Sequence, residues 1–401
     1  MSDAQEVDEF HLERAGVAQL IAFRSPSDKS LAIILILFIL MLILESSKQQ
    51  MGELAIISIM LIVSTALLIL SADFFVVGAK CIARQYGIAE VIIGLTIVSI
   101  GTSLPEIMVT GTAAMKANSS TSTIAELETL SDLAIGNIYG SILVQISLIL
   151  GIVVLYRPLE VRPSWLGRDG LLMILAVLLF TLMLLTGDGL SRIEGASLSI
   201  FYVLYIIYLI KNRNKIRAEE GELVDNIRGG LAWSKTASLV MIIVGLSMAI
   251  YASNNLIDSV LKLGKSLNLD EGAMGAIMGT SVSAVGTSLP ELTVALLCVR
   301  KSQGVAIGAL IGSNITDPLL SVGIAAMIHP LSISAGAYFI TTTIIIPMTI
   351  IGIFICTILM WTDFKFNRTE GVIMIIYYFI FLTALVLNQL NILSDLFNLF
   401  I

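Results

Sequence analysis

The sequence predicts an all-α polytopic membrane protein, with two inverted repeats of five helices each (ten core helices) and an extra helix before them. Of its 401 residues, 57% are hydrophobic and only 13% are charged, about half the charged share of an average soluble domain. Apolar segments recur along the whole chain, and motifs of the first half return in the second. This composition excludes a soluble multidomain enzyme, a nucleic-acid-binding protein and a disordered scaffold.

The N-terminal segment 1–30 is predicted to be a polar tail. Five acidic residues precede its first arginine, and it has neither the apolar core nor the cleavage site of a signal peptide. The next apolar run, Leu31–Leu44, is 14 residues long. A helix of that length measures about 21 Å, against a hydrocarbon core of about 30 Å. We expect an extra helix within 31–48 that either spans the membrane or lies at its interface.

Ten further apolar segments follow, separated by charged or glycine- and proline-rich breaks. They lie near 54–79, 88–115, 132–156, 169–186, 193–210, 236–260, 273–299, 304–328, 332–360 and 371–390. Most exceed the roughly 20 residues that a spanning helix needs, so tilted or broken helices are expected. The predicted organisation is a first repeat over 54–210, a connecting loop over 211–235, a second repeat over 236–390 and a C-terminal tail over 391–401.

The distribution of lysine and arginine predicts the orientation of the chain. If the loop 211–235 is cytoplasmic, 18 of the 23 basic residues fall on the cytoplasmic side. The C-terminus is then outside, and the N-terminus is inside only if the extra helix crosses. The compact loops and the lack of a signal peptide favour a prokaryotic plasma membrane.

An internal repeat is the most informative feature of the sequence. GLTIVSIGTSLPE (Gly94–Glu106) returns as GTSVSAVGTSLPE (Gly279–Glu291), and GNIYGSILVQISLILG (Gly136–Gly151) returns as GALIGSNITDPLLSVG (Gly308–Gly323). The offsets are 185 and 172, and we assign the difference to an insertion in the polar stretch Asn118–Asp132. Five spans, an odd number, separate the copies, so they enter the membrane from opposite faces. Inverted, broken segments at matching positions indicate the midplane site of a transporter.

Three carboxylates lie within apolar spans, namely Glu106, Glu291 and Asp317. Each costs roughly 2.5–3.5 kcal/mol at the centre of a membrane helix. No lysine or arginine lies near them within these spans, so either protonation or a bound cation must compensate. Asp73 and Asp258 also match across the repeats, but they lie near span ends, and we expect both to form structural hydrogen bonds.

Hydroxyl groups and helix breakers precede both glutamates. The residues before Glu106 are Thr102, Ser103 and Pro105, and those before Glu291 are Thr287, Ser288 and Pro290. A proline removes a backbone donor and thereby frees a carbonyl group upstream. Carboxylates, hydroxyls and free carbonyls form an all-oxygen ligand set, which suits Ca²⁺, Mg²⁺ or Na⁺ and not zinc or copper. Each feature alone is ordinary in membrane helices, but two identical hexapeptides in inverted spans indicate a functional site.

The paired GTSLPE segments, with GNIYGS and GSNITD downstream, resemble the two α-repeats of the calcium/cation antiporter superfamily. They are most similar to those of prokaryotic sodium/calcium exchangers, over about residues 54–390. The resemblance implies a transport core built from the second, third, seventh and eighth helices. It also implies exchange of cytoplasmic Ca²⁺ for external Na⁺ by alternating access, without ATP. Its expected partners are these cations, with H⁺ as a further candidate, and the lipid bilayer. Enzyme activity, a cofactor and a nucleic-acid partner are not expected, and a monomer is compatible with the resemblance.

The resemblance also implies roles for particular residues. Glu106 and Glu291 would be the central Ca²⁺ ligands, joined by the backbone carbonyl groups of Thr102 and Thr287. Four serines would help to line flanking sodium sites: Ser103, Ser288, Ser141 and Ser313.

Two positions of the first repeat depart from the pattern of the superfamily. Asp317 falls where exchangers carry a carboxylate in the second repeat, but its counterpart, usually Asn or Asp, is Gln145. Ile142 replaces the asparagine expected after Gly140 and Ser141, whereas Asn314 is retained. These departures leave the expected central Ca²⁺ ligands intact. They are expected to affect the number of Na⁺ ions exchanged and the preference among ions.

Other functions fit the sequence less well. Proton/calcium exchange in the same superfamily is the nearest alternative, because buried glutamates can carry protons. Its relatives carry a GN-x-x-E-H pattern, whereas positions 140 and 141 are Gly and Ser here. A cation channel would also use oxygen ligands, but inverted repeats with broken helices favour alternating access. An intramembrane enzyme is disfavoured because neither GxGD nor HExxH occurs.

Overall fold

The computed structural model describes residues 26–46, 53–86, 99–119, 123–161, 163, 166–187, 189–212, 233–299, 303–362 and 364–390. Long stretches of four predicted segments lie outside these residues. They are residues 1–25 of the N-terminal tail, residues 88–98 of the second span, residues 213–232 of the connecting loop, and the C-terminal tail 391–401.

The helix that precedes the repeats begins earlier than the sequence predicts. Helix α1 spans Pro26–Ser46, 21 residues, so its first turn includes the last residues of the predicted polar segment 1–30. Proline is tolerated in the first turn of a helix, where its missing N–H breaks no intrahelical bond. The strongly apolar part of α1, Leu31–Glu45, is short, as predicted.

Each repeat consists of long helices and one broken helix. The first contains α2 (Glu53–Gln85), α3 (Ser99–Thr102), α4 (Leu104–Ala117), α5 (Ile124–Tyr156), α6 (Leu166–Leu185) and α7 (Arg192–Lys211). The second contains α8 (Lys235–Ser266), α9 (274–287), α10 (Leu289–Cys298), α11 (303–328), α12 (Ala335–Trp361) and α13 (Arg368–Gln389). Eight of the described helices are long and apolar enough to cross a membrane. The second and seventh predicted spans are divided, at Ser103 and Ser288, and therefore consist of shorter pieces.

Short π-helical turns occur at equivalent positions of the two repeats. Val144–Ile149 forms such a turn in α5, and Asp317–Ser321 forms its counterpart in α11. A second pair lies at the start of α6, Leu166–Gly170, and in α12, Thr341–Ile345. Turns of this kind are frequent at functional sites. The first pair contains Gln145 and Asp317, which the repeat places at equivalent positions.

The helices form a central group surrounded by flanking helices. Helix α4 packs against α5 and α11, α5 against α9, and α10 against α11. The long helices α2 and α8 pack along each other on one side, where α1 packs against α2. Helices α6, α7, α12 and α13 cover the other sides of the central group. The central group therefore consists of the second, third, seventh and eighth spans.

Two backbone pairings join the repeats, one at each end of the helix bundle. Strand β1 (Leu159–Glu160) pairs in antiparallel fashion with β2 (Lys365–Phe366). At the opposite end of α6, Leu190 forms an isolated bridge with Leu331. Each pairing joins the connection after the third span of one repeat to the connection after the fourth span of the other. The two pairings are equivalent under the inverted repeat, which agrees with the predicted architecture.

Glycines bring α5 and α9 into close contact across the two repeats. A Cβ atom added at Gly140 would lie 2.3 Å from the Thr280 carbonyl oxygen, and one at Gly136 would lie 2.7 Å from the Ala276 carbonyl oxygen. On the facing helix, a Cβ atom at Gly275 would lie 2.2 Å from the Thr129 carbonyl oxygen. Backbones approach this closely only where there is no side chain. Helices α5 and α9 therefore form one tightly packed unit.

A partly exposed ion pair connects α4 to α8. Lys116 Nζ lies 2.5 Å from Asp258 Oδ1, and the Asp258 side chain is 54% exposed. We expect Asp258→Asn to lower the free energy of unfolding by less than about 1 kcal/mol, because exposed ion pairs contribute little. Thermal unfolding in detergent and ion uptake in liposomes would measure this. Loss of uptake with normal stability would instead give Asp258 a role in transport.

Candidate ion-binding site

Both broken helices are interrupted with the same backbone geometry. Ser103 has φ −83° and ψ 6°, and Ser288 has φ −87° and ψ 5°. Thr102 and Thr287 are the last residues of the helical segments before these breaks. After each break, the sequence Leu-Pro-Glu begins a new helix and places a glutamate in its first turn. The positive end of a helix dipole favours a negative charge at that position.

The two glutamates are fully buried, and serines of the second repeat donate a hydrogen bond to each of them. Ser288 Oγ donates a hydrogen bond of 3.2 Å to Glu106 Oε1. Ser313 Oγ donates one of 3.4 Å to Glu291 Oε1, and it also lies 3.3 Å from Thr102 Oγ1. The Oε2 atom of each glutamate is buried without a hydrogen-bond partner. One half of each carboxylate is thus held in place and the other half is available to a ligand.

Asp317 is held by the two positions of the first repeat that face it. Ser141 Oγ and Gln145 Nε2 each donate a hydrogen bond of 3.2 Å to Asp317 Oδ2. Asp317 Oδ1 and Gln145 Oε1 are buried without a partner. Gln145, the departure noted in the sequence, therefore orients the carboxylate of Asp317 through its amide nitrogen.

All ten predicted site residues are buried. Thr287 Oγ1 donates to the Ala284 carbonyl group at 3.3 Å, and the Thr287 side chain also lies beside the carboxylate of Glu106. The Ser103 side chain lies beside the carboxylate of Asp317. The remaining eight form the three hydrogen-bonded groups around Glu106, Glu291 and Asp317.

The site concentrates negative charge that no described basic residue neutralises. Glu106 lies within range of the charges of both Glu291 and Asp317. Among the described residues, none of the three carboxylates forms an ion pair, and no three His, Cys, Asp or Glu side chains form a metal-binding cluster. The other ligands of a cation here would therefore be hydroxyl and carbonyl oxygens.

The unpaired atoms of the site fit a hard cation. They include Glu106 Oε2, Glu291 Oε2, Asp317 Oδ1 and Gln145 Oε1, all of them oxygens. A buried polar atom without a partner costs about 1–3 kcal/mol, and more if it is charged. Oxygen ligands of this kind are those that Ca²⁺ binds, and soft metals prefer sulfur.

Sequence reasoning missed a second polar contact beside the site. Ser283 Oγ donates a hydrogen bond of 2.7 Å to Asn137 Oδ1, and both residues are buried. Asn137, Ser141 and Gln145 follow one another at intervals of four residues, which places them on one face of α5. That spacing could have identified Asn137, whose counterpart in the second repeat is the apolar Ala309.

The same two repeats are recognised in comparisons with known proteins. The family model described as "Sodium/calcium exchanger protein" matches residues 56–211 and 237–387. The chain belongs to this family. The gap between the matched stretches coincides with the predicted connecting loop. The exchanger is thus a transporter and not an enzyme, and the family handles Na⁺ and Ca²⁺.

Relatives of the exchanger match it over most of their length. It is 26% identical over 368 residues to the sodium/calcium exchanger MaX1 of Methanosarcina acetivorans, covering 82% of this chain and 97% of the relative. It is 33% identical over 301 residues to the inner membrane protein YrbG of Escherichia coli, covering 74% and 87% respectively. Among solved structures, the sodium-calcium exchanger NCX_Mj soaked with Na⁺ and Sr²⁺ matches with a TM-score of 0.52 and 26% identity. That match covers 81% of this chain and 97% of NCX_Mj. These matches confirm the predicted superfamily and the all-helical inverted-repeat fold.

Proposed function

We propose that this antiporter exchanges Ca²⁺ for Na⁺ across the plasma membrane, with Glu106 and Glu291 as the central Ca²⁺ ligands. The observation that carries the proposal is the pair of buried glutamates, one from each inverted repeat, each with one carboxylate oxygen unpaired. The carbonyl groups of Thr102 and Thr287 would complete the Ca²⁺ site. Ser103, Ser141, Ser288, Ser313, Gln145 and Asp317 would line the sodium sites.

Exchange follows from the sharing of ligands. If Na⁺ and Ca²⁺ use the same glutamates, the site cannot hold both full loads at once. Either load cancels at least two of the negative charges that are otherwise costly to bury, so the protein can occlude a loaded site and expose it on the other side of the membrane. The empty site keeps its charges and resists crossing, which prevents an uncoupled leak. Efflux of either ion at full rate without a counter-ion would contradict this mechanism.

Calcium uptake into proteoliposomes tests the proposal. Vesicles loaded with Na⁺ and diluted into choline should take up radiolabelled Ca²⁺, whereas a matched set with an imposed pH gradient and no sodium should not. Uptake driven only by the pH gradient would overturn sodium coupling and reassign the glutamates as proton carriers. Uptake in neither set would overturn the choice of ions, and Mg²⁺, Mn²⁺ and K⁺ would be tested next.

Asp317→Asn should change the sodium dependence of exchange more than its calcium affinity. The substitution removes the charge to which Ser141 and Gln145 donate, and a hydrogen bond to a charged group contributes about 1.5–3 kcal/mol. We expect the Na⁺ concentration for half-maximal exchange to rise about tenfold, and the Ca²⁺ affinity to change less than about threefold. The exposed Asp270→Asn serves as control. If Asp317→Asn altered neither quantity, Asp317 would be structural.

A further inference from the structure

A groove between α6 and α7 is separate from the ion-binding site and opens at the side of the protein. Its volume is about 580 Å³. Leucine and other apolar side chains of both helices line most of it, and several of them, such as Leu175, Phe201 and Leu204, are about half exposed. Because both helices are long and apolar enough to span the membrane, this opening faces the hydrocarbon of the bilayer.

One end of the groove carries a polar group of three residues. Arg168 forms two hydrogen bonds with Asp169, Nε to Oδ1 at 2.9 Å and Nη2 to Oδ2 at 2.7 Å. Tyr205 donates its hydroxyl hydrogen to Asp169 Oδ1 at 3.4 Å. The group lies where α6 begins, on the side of the bundle that carries β1 and the end of α7. The groove is therefore amphipathic, with a guanidinium group at one end and hydrocarbon along the rest.

The groove reaches the helix segment that holds Asp317. Leu319, which lies in the π-helical turn Asp317–Ser321, lines the groove. A second connection runs through aromatic rings: Tyr205 lies 6.4 Å from Tyr202, centroid to centroid. Thr316 Oγ1, in turn, donates a hydrogen bond of 3.3 Å to the Tyr202 hydroxyl group. Whatever fills the groove thus packs directly against the turn that positions Asp317.

We propose that this groove binds one phospholipid, with an acyl chain between α6 and α7 and its phosphate at Arg168. An apolar groove that is open to the bilayer is filled by lipid hydrocarbon, since water gains no hydrogen bonds there. A guanidinium group is a preferred partner of phosphate oxygens, and its five N–H donors can be shared among several acceptors. Basic groups between membrane helices at the membrane surface bind phospholipid headgroups in this way.

Native mass spectrometry after extensive washing in detergent tests the binding. The wild-type protein should retain one phospholipid, and the double variant Leu175→Trp/Leu204→Trp, whose indole rings fill the groove, should lose it. The double variant Leu182→Trp/Val203→Trp is the matched control, because these residues are exposed on the same helices outside the groove lining. Arg168→Gln should reduce retention of the phospholipid without reducing retention of diacylglycerol. Equal retention in the groove and control variants would overturn the proposal.

Photo-cross-linking on the wild-type protein provides a test that needs no variant. A phospholipid with a diazirine in its acyl chain should, after the same washing, label residues of the groove on α6 and α7. Cross-links from the retained lipid only to residues outside the groove would also overturn the proposal. Neither measurement depends on which ions are carried, so each stands if the proposed exchange fails.

The effect on transport rests on the proposed function and is measured separately. Because Leu319 lies in the turn of Asp317, delipidated protein should show about threefold slower Na⁺-driven Ca²⁺ uptake than protein to which phospholipid is restored. The groove-filling variant should not respond to the added lipid. If the wild-type protein binds the lipid, but delipidated and relipidated samples transport Ca²⁺ equally fast, the bound lipid has only a structural role.

Discussion

Glu291→Gln should abolish Na⁺-driven Ca²⁺ uptake, with a loss of at least about 100-fold. The substitution removes a charge from a fully buried site and replaces an unpaired carboxylate oxygen by the nitrogen or the oxygen of an amide. The loss of one partner from a buried charge interaction costs about 3–5 kcal/mol, and each 1.4 kcal/mol is a factor of ten in binding. Glu106→Gln should reduce Ca²⁺ uptake to a similar extent, because Glu106 is the counterpart of Glu291 in the first repeat. Radiolabelled Ca²⁺ uptake is the measurement.

Stability separates a ligand from a structural residue in this experiment. A buried carboxylate without a cation is destabilising, so its neutral amide should leave the melting temperature of the ion-free protein unchanged or raise it. The added Ca²⁺ should stabilise the wild-type protein and fail to stabilise the variant. Glu271→Gln, which changes an exposed glutamate in the α8–α9 connection, is the control. Near-normal Ca²⁺ uptake by folded Glu291→Gln protein would show that Glu291 is not a required Ca²⁺ ligand and would overturn the proposed site.

The second large effect is expected at the contact between α5 and α9. The Cβ atom of Gly140→Ala would lie 2.3 Å from the Thr280 carbonyl oxygen and 2.6 Å from Ala284 Cβ. Since both neighbours belong to a packed helix, α9 must move, at a cost of about 1–3 kcal/mol. Residues 284 and 287 lie in the same short segment of α9, so the movement should also lower exchange. Thermal unfolding and Ca²⁺ uptake measure the two effects.

Gly308→Ala is a matched control for this variant. Gly308 is the repeat counterpart of Gly136, a glycine that faces α9, but no atom lies within 4 Å of a Cβ atom added at Gly308. Alanine is about 1 kcal/mol more favourable than glycine within a helix, so Gly308→Ala should be neutral or stabilising. Equal stability of the Gly140 and Gly308 variants would show that the α5–α9 contact tolerates a methyl group.

The fold class could be predicted from sequence because the two copies of the repeat share identical residues at their helix breaks. Two GTSLPE hexapeptides, separated by an odd number of spans, fix both the inversion and the positions of the helix breaks. The cost of burying charge then singles out Glu106, Glu291 and Asp317 without a structure. All three lie in the interior of the protein; the repeat relates Glu106 to Glu291, and Asp317 to Gln145.

Other features depend on contacts that composition does not reveal. The polar stretch Asn118–Asp132, predicted as an insertion between helices, is helical from Ile124 onward. Its start is a capping box in which Thr123 and Glu126 satisfy each other's backbone N–H groups. Much of the extra length of the first repeat therefore lies in helices, with α4 at 14 residues against 10 in α10.

The partners of the site residues were equally beyond prediction. Asn137 of α5 contacts Ser283 of α9 where glycines let these two helices approach, and Ser288, at the break after α9, contacts Glu106 of α4. The internal repeat relates each residue of one half to its counterpart in the other half, but it does not show which residues of the two halves contact each other.

The pairing of charged Asp317 with neutral Gln145 gives the site an odd number of charges. With all three carboxylates ionised, the empty site carries three negative charges. One Ca²⁺ leaves one of these charges uncompensated, whereas three Na⁺ ions would cancel them all. The calcium-loaded form would then cross the bilayer as an anion, and the membrane potential would act on that step with about 2.3 kcal/mol per charge for each 100 mV. A single asymmetric position between otherwise matched repeats would thus make calcium transport voltage-dependent.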